Sequence, residues 1–189
     1  QTVSAVEITE VAWMGSTDSA NHEWIELYNP AGETVDVTGW QLSDGANLTI
    51  VLTGSLAAQH YAVLERSSDA SAPVTAFSIY TGALVNSGAT LTLTNSEGVQ
   101  VDQVVGGTDW EGIGGDNTAK TTAQKTTNGW ITEEATPGQS AANNGGESTD
   151  DVTTDSATPT SDTSAQTNAT ASTPSSSGSS REKIVVTRK

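Results

Sequence analysis

The chain contains no cysteine. That single absence excludes disulfides, thiolate metal sites, thiol nucleophiles and a lipid-modified N-terminal cysteine. Basic residues are scarce, with 7 Lys and Arg against 23 Asp and Glu over 189 residues, a formal charge of -16. The imbalance is also uneven. Residues 1–140 carry three bases and seventeen acids (-14), residues 141–180 no base and five acids (-5), and residues 181–189 four bases and one acid (+3). Only Arg66, Lys120 and Lys125 serve the first segment, so it lacks the clustered cations that displace counterions from a phosphate backbone, and no nucleic-acid partner is expected. The acidity reads first as a solubilising surface. No apolar run approaches the roughly 18 residues of a membrane-spanning helix, so no membrane insertion is expected within the chain. The first residue is Gln1, not Met, which reads as a mature or excised form whose signal peptide has been removed.

Large apolar side chains are missing from the C-terminal quarter. All five Trp, all three Tyr and the one Phe precede Ala141. Beyond it, Ser, Thr, Asp, Asn, Gly and Pro offer too little apolar surface to offset the entropy of ordering the chain. Three regions follow: a folded domain over 1–140, a disordered Ser/Thr/Asp-rich linker over 141–180, and a stretch over 181–189 in which Lys183 to Thr187 reads as the first strand of a further domain.

What is present between Val3 and Thr132 is a series of short alternating runs divided by Gly, Asn and Asp, the pattern of half-buried antiparallel strands. Strands are predicted over Val6–Trp13, Glu23–Asn29, Trp40–Ser43, Leu48–Leu52, Tyr61–Arg66, Thr90–Thr94 and Val99–Val105, with a weaker one over Thr121–Thr127. No helical period of adequate length occurs. Such spacing predicts an all-β sandwich. Asn95 to Gly98 should close a hairpin with Gly98 at positive φ, Asn29-Pro30 should end the second strand, and Asp44-Gly45 the third. The Gly-rich loop from Gly106 to Thr118, with Trp110 at its middle, is expected to be the longest irregular stretch and a place where function is presented.

The blocks Val6-Glu7-Ile8-Thr9-Glu10-Val11-Ala12-Trp13-Met14-Gly15, Glu23-Trp24-Ile25-Glu26-Leu27-Tyr28-Asn29-Pro30 and Val35-Asp36-Val37-Thr38-Gly39-Trp40-Gln41-Leu42-Ser43-Asp44-Gly45 resemble the opening of a bacterial lamin tail domain. Asn86 to Leu93 followed by Gly98 to Asp102 resembles the family's late hairpin. Gly129-Trp130 and Ala135-Thr136-Pro137-Gly138 resemble its closing signature. Leu56 to Leu64 resembles the family's strand that follows an L-x-A-G type turn, with Ala57-Ala58-Gln59 departing from the glycine common in that turn, and residues 3 to 140 are covered. The resemblance implies an immunoglobulin-like antiparallel β-sandwich with no catalytic residues of its own. It also implies a setting in surface or secreted bacterial proteins, and it marks Glu10, Trp13, Glu23, Glu26, Asn29, Gly39, Trp40, Asp44, Gly45 and Trp130 as signature positions, read as structural.

Trp40, at a strand start, is expected to anchor the core between the sheets. On the second strand Ile25 and Leu27 share one face and are the core candidates, while Trp24, Glu26 and Tyr28 share the other. Trp24, Tyr28 and Trp110 are therefore the candidate ligand surface, set against packing beneath a loop. Glu10, Glu23, Glu26, Asp36 and Asp44 do not form the close ladder of a calcium loop or a defined acid pair, and capped turns or solvated faces are the expectation. His22 and His60 lack zinc spacing. No nucleophile elbow or phosphate loop occurs, so no catalytic residue, metal or cofactor is expected. The expected function is a non-catalytic extracellular or cell-surface interaction or structural module on a flexible tether, whose partner is an unidentified protein or glycan. The rivals are a glycan- or calcium-binding adhesion module, or the accessory domain of a larger secreted hydrolase or nuclease.

Overall fold

In the computed structural model, residues 6–141 are described. The expected linker, apart from Ala141, and the stretch over 181–189 lie outside the described residues. Among the described residues twelve strands occur in chain order. They are β1 (Glu7–Ala12), β2 (Trp24–Tyr28), β3 (Val35–Asp36), β4 (Gln41–Ser43), β5 (Thr49–Val51), β6 (Ser55–Leu56), β7 (Tyr61–Arg66), β8 (Ser78–Tyr80), β9 (Thr90–Thr94), β10 (Gln100–Val105), β11 (Thr122–Thr126) and β12 (Gly129–Glu133). A six-stranded sheet runs β12-β11-β1-β2-β7-β8, a four-stranded sheet β10-β9-β4-β5, and β3 pairs with β6 alone. The fold is the all-β, immunoglobulin-like sandwich expected. Pairing is antiparallel except between β7 and β8, which run parallel.

Alternation decides which side chains meet inside. Ile8, Val11, Ile25, Leu27 and Leu64 from the larger sheet and Leu42, Ile50, Leu91, Leu93 and Val104 from the smaller are all buried. Each such side chain contributes about 1.5–3 kcal/mol relative to exposure. In register, Ile8 faces Leu27 and Val11 faces Ile25 across the β1–β2 pair, and Ile25 faces Leu64 across β2–β7. The sheets are also tied by polar contacts at one margin, where the Ile8 amide donates to Asp102 Oδ2 at 2.7 Å. Lys125 Nζ lies 3.0 Å from Glu7 there.

The predicted turns are present with their mechanisms. Gly98 has φ 78°, and Asn95 Oδ1 accepts from the Glu97 and Val99 amides. Asp44 Oδ1 accepts from Ala46, Asn47 and Leu48. In the turn where glycine was missing, Gln59 takes the left-handed conformation itself, with φ 56°. Buried Asn29 ties the β2 end to β6, its Nδ2 donating to the carbonyls of Glu33, Leu56 and Ala57.

Two expectations need correction. Trp40 is only partly buried, packed against the core's flank, whereas Trp110 is fully buried. The Gly106–Thr118 loop does not present Trp110 outward. A short 3-10 turn over Thr108–Trp110 folds the indole in, where it stacks on Trp13 with centroids 6.0 Å apart and its Nε1 donates to the Val85 carbonyl at 2.8 Å. Gly106 makes this possible, since a Cβ there would sit 2.4 Å from the Trp110 ring. The loop is thus a plug for the sandwich end.

Candidate functional site

The outward face of the six-stranded sheet carries the residues that alternation set opposite the core. Register places Glu10 opposite Glu26, Ala12 opposite Trp24 and Glu7 opposite Tyr28 on β1–β2, then Trp24 opposite Glu65 and Tyr28 opposite Tyr61 on β2–β7. The face is not solvated. Glu10, Glu26 and Glu65 are at most 1 % exposed, and Trp24, at 4 %, is buried with them; Glu23, just before β2 and on the same parity as Ile25, is also buried, at the sandwich end. Trp24 and Trp110 are therefore removed from a solvent-facing ligand surface, because loops cover one and the plug encloses the other. The expectation that the strand acids cap turns or remain in water fails for Glu10, Glu23 and Glu26, and holds for the exposed Asp36 and half-buried Asp44, whose carboxylates cap local turns.

Each buried carboxylate has the same task, which is to accept backbone amides from a segment crossing the sheet. Glu10 takes Thr136 N at 3.0 Å, Thr136 Oγ1 at 2.9 Å and Gln124 Nε2 at 3.2 Å, with Thr122 Oγ1 a further donor. Glu26 takes Gly138 N at 2.6 Å and Thr9 Oγ1 at 2.8 Å. Glu65 takes the amides of Ser71 and Ala72. Glu23 takes Leu84 N at 2.7 Å and Arg66 Nη1 at 2.8 Å. The cover of this face is chain, not sheet, held by hydrogen bonds to buried carboxyl groups.

Desolvation has a cost visible in the acidities. Burial pushes the Glu26 carboxyl up to about 8, against the pull of the Gly138 and Thr9 hydrogen bonds and helped by the neighbouring Glu10 charge. Burial likewise raises Glu10 and Glu23, opposed in each case by their donors. Tyr80 is pushed upward by burial and by Glu23.

Where the cover stops, a groove of about 360 Å3 remains, bounded by Glu7, Glu26, Tyr28, Tyr61, Lys125 and the Gln139–Ala141 rim. Tyr28 and Tyr61 stack with centroids 4.4 Å apart, and both are half-buried. Tyr28 is thus the candidate ligand residue that remains accessible, now with Tyr61, which the residue-by-residue reading missed. Its signal was available: Tyr61 opens a strand of the same alternating kind as Tyr28 closes. The groove gathers an aromatic platform, carboxylates and one ammonium.

Among the described residues no three His, Cys, Asp or Glu side chains converge as a metal site would require, and no helix is long and apolar enough to cross a membrane. His22 Nδ1 is 2.9 Å from Ser16 Oγ and His60 Nδ1 is 2.7 Å from the Ala58 carbonyl, each within its own turn. The signature residues Trp13, Gly39, Gly45 and Trp130 have positional roles. Trp13 Nε1 donates to Gly114 O, Gly39 and Gly45 adopt positive φ, and Trp130 packs on the core from the edge strand β12. The family described as Lamin Tail Domain matches residues 1–108. No curated protein matches the chain.

Proposed function

Because the chain belongs to the lamin tail domain family, immunoglobulin-like modules that are not enzymes, we propose that it is an extracellular or cell-surface interaction module. It is presented on the Ser/Thr-rich segment that follows residue 140. The observation that carries the reading is the use of the acids. The carboxylates that might have formed a reactive pair are buried under loop amides, which leaves the Tyr28–Tyr61 groove as the accessible polar and aromatic surface. Rigid aromatic rings with polar neighbours are the usual anchors of a recognition surface. The stacked tyrosines also favour a second reading, in which the partner is a glycan whose ring lies on the aromatic face.

The test has two arms. Protease added to intact producing cells should remove the domain, or the domain should be found in the medium; protection until lysis overturns the extracellular reading. On a glycan and protein array, Tyr28→Ala and Tyr61→Ala should each lower binding of the full chain by about tenfold, equivalent to 1.4 kcal/mol. Turnover of glycoside or phosphoester substrates by the chain alone would overturn the non-catalytic reading.

A further inference from the structure

A second pocket lies away from the tyrosine groove, at the end of the sandwich where three connections meet: β1 to β2, β8 to β9, and β10 to β11. It is an open depression of about 430 Å3 whose lining includes Arg66, Lys120, Glu23, Asn21, Asn86 and Asn117. Its charge is opposite to that of its surroundings. Residues 1–140 contain three bases among seventeen acids, and two of the three line this one cavity.

Neither cation is saturated. Lys120 Nζ donates to the Met14 carbonyl at 2.9 Å and to Asn117 Oδ1 at 2.6 Å, which leaves one of an ammonium's three hydrogens. Arg66 gives Nη1 to Glu23, and among the described residues its other four guanidinium donors meet no acceptor. Glu23 is turned to Arg66 and the Leu84 amide, so both its oxygens have donors. The nearby Asp116 caps its own turn by accepting from Thr118 and Ala119. Arg66, with its side chain 20 % exposed, sits where reduced solvent screening strengthens an ionic hydrogen bond.

We propose that this loop-end pocket binds a ligand bearing a single carboxylate, held by Arg66 and Lys120, with the three asparagine amides reading the hydroxyl or amide groups beside it. The local balance of two cations and one carboxylate is a single positive charge, which matches a monoanion. A multiply charged phosphate would meet the repulsion of the acidic domain around it. Planar carboxylate geometry suits the guanidinium fork. The carboxylate has two natural sources, a uronic acid in an acidic glycan and the free C-terminus of a polypeptide.

Calorimetry and amide chemical-shift mapping on the full chain test this. The probes are galacturonic acid, which carries one carboxylate, a short peptide with a free C-terminus, the same peptide amidated, and a neutral sugar. One of the first two should bind, and which one does identifies the source. The shifts should map to Asn21, Asn86 and Asn117, and binding should weaken with added salt. Asn86→Asp should reduce affinity about tenfold without lowering the melting temperature, and Lys120→Gln, which also gives up the bonds to Met14 and Asn117, should reduce it as much while amide-shift dispersion shows the chain still folded. Arg66 variants are avoided because they strand the buried Glu23. Binding by neither carboxylate probe, equal binding of the amidated peptide, or affinity unchanged in both variants would overturn the proposal. Tyr28→Ala should leave this binding intact, so failure here is separable from failure at the groove.

Discussion

The two faces of the six-stranded sheet are built from the same strands and solve burial in opposite ways. On the inner face, Ile8, Ile25, Leu27 and Leu64 exclude water by packing alone. On the outer face, one residue along in each strand, Glu10, Glu26 and Glu65 are equally buried but depend on specific hydrogen-bond donors from the crossing segments. Dry packing tolerates exchange of similar shapes, whereas a buried carboxylate deprived of its donors loses far more than the bond itself. The inner face therefore sets how stable the domain is, and the outer face fixes which loops lie where.

The comparison can be broken most sharply at the plug. Trp110→Ala should destabilise the domain by about 3–5 kcal/mol through the cavity it leaves, read from denaturant unfolding; a loss below about 1 kcal/mol would mean the indole is not part of the core. Glu26 gives the next largest effect, through pH. Its carboxyl titrates near 8 when folded and near 4.5 otherwise, so the folded state holds the extra proton between those values. The linked stability is complete below pH 4.5 and is lost as pH rises through 8, at up to about 1.4 kcal/mol for each pH unit. Melting temperature should fall across that window in the parent and much less in Glu26→Gln; parallel curves would refute the assignment.

Glu10→Ala should cost about 2–3 kcal/mol, since Thr136 N and Gln124 lose a buried acceptor, and hydrogen exchange at Thr136 should accelerate. Unchanged protection there would show that the closing segment is held by something else. At the small end, Thr92→Val on the uncovered outer face of the four-stranded sheet should change stability by about 0.5 kcal/mol or less. A larger loss would mean that this face too is covered.

Alternation made the inner face legible in the sequence: Ile25 and Leu27 against Trp24, Glu26 and Tyr28 is a two-residue period, and both sets point as expected. The hairpin at Gly98 and the stop at Asp44-Gly45 were legible because their chemistry is local. Burial of Glu10 and Glu26 was not, since a carboxylate's environment is set by Thr136 and Gly138, more than a hundred positions away. A local hint existed in Trp24-Ile25-Glu26-Leu27-Tyr28, where apolar residues on both faces point to a strand covered twice. Trp110 was misplaced because glycines around an aromatic read as a mobile loop, whereas Gly106 is there to let the ring in. The short β3, β6 and β8 strands carry too few residues to show a period, and β12 was read as signature, not strand.

The clasp of Thr136 and Gly138 onto Glu10 and Glu26 has a mechanical corollary. Tension applied to the polypeptide downstream of Ala141 reaches these anchors before it reaches edge strand β12. The load would be delivered to β1 and β2, in the interior of the sheet, where several bonds must yield together, and peeling strand by strand from the rim would be forestalled.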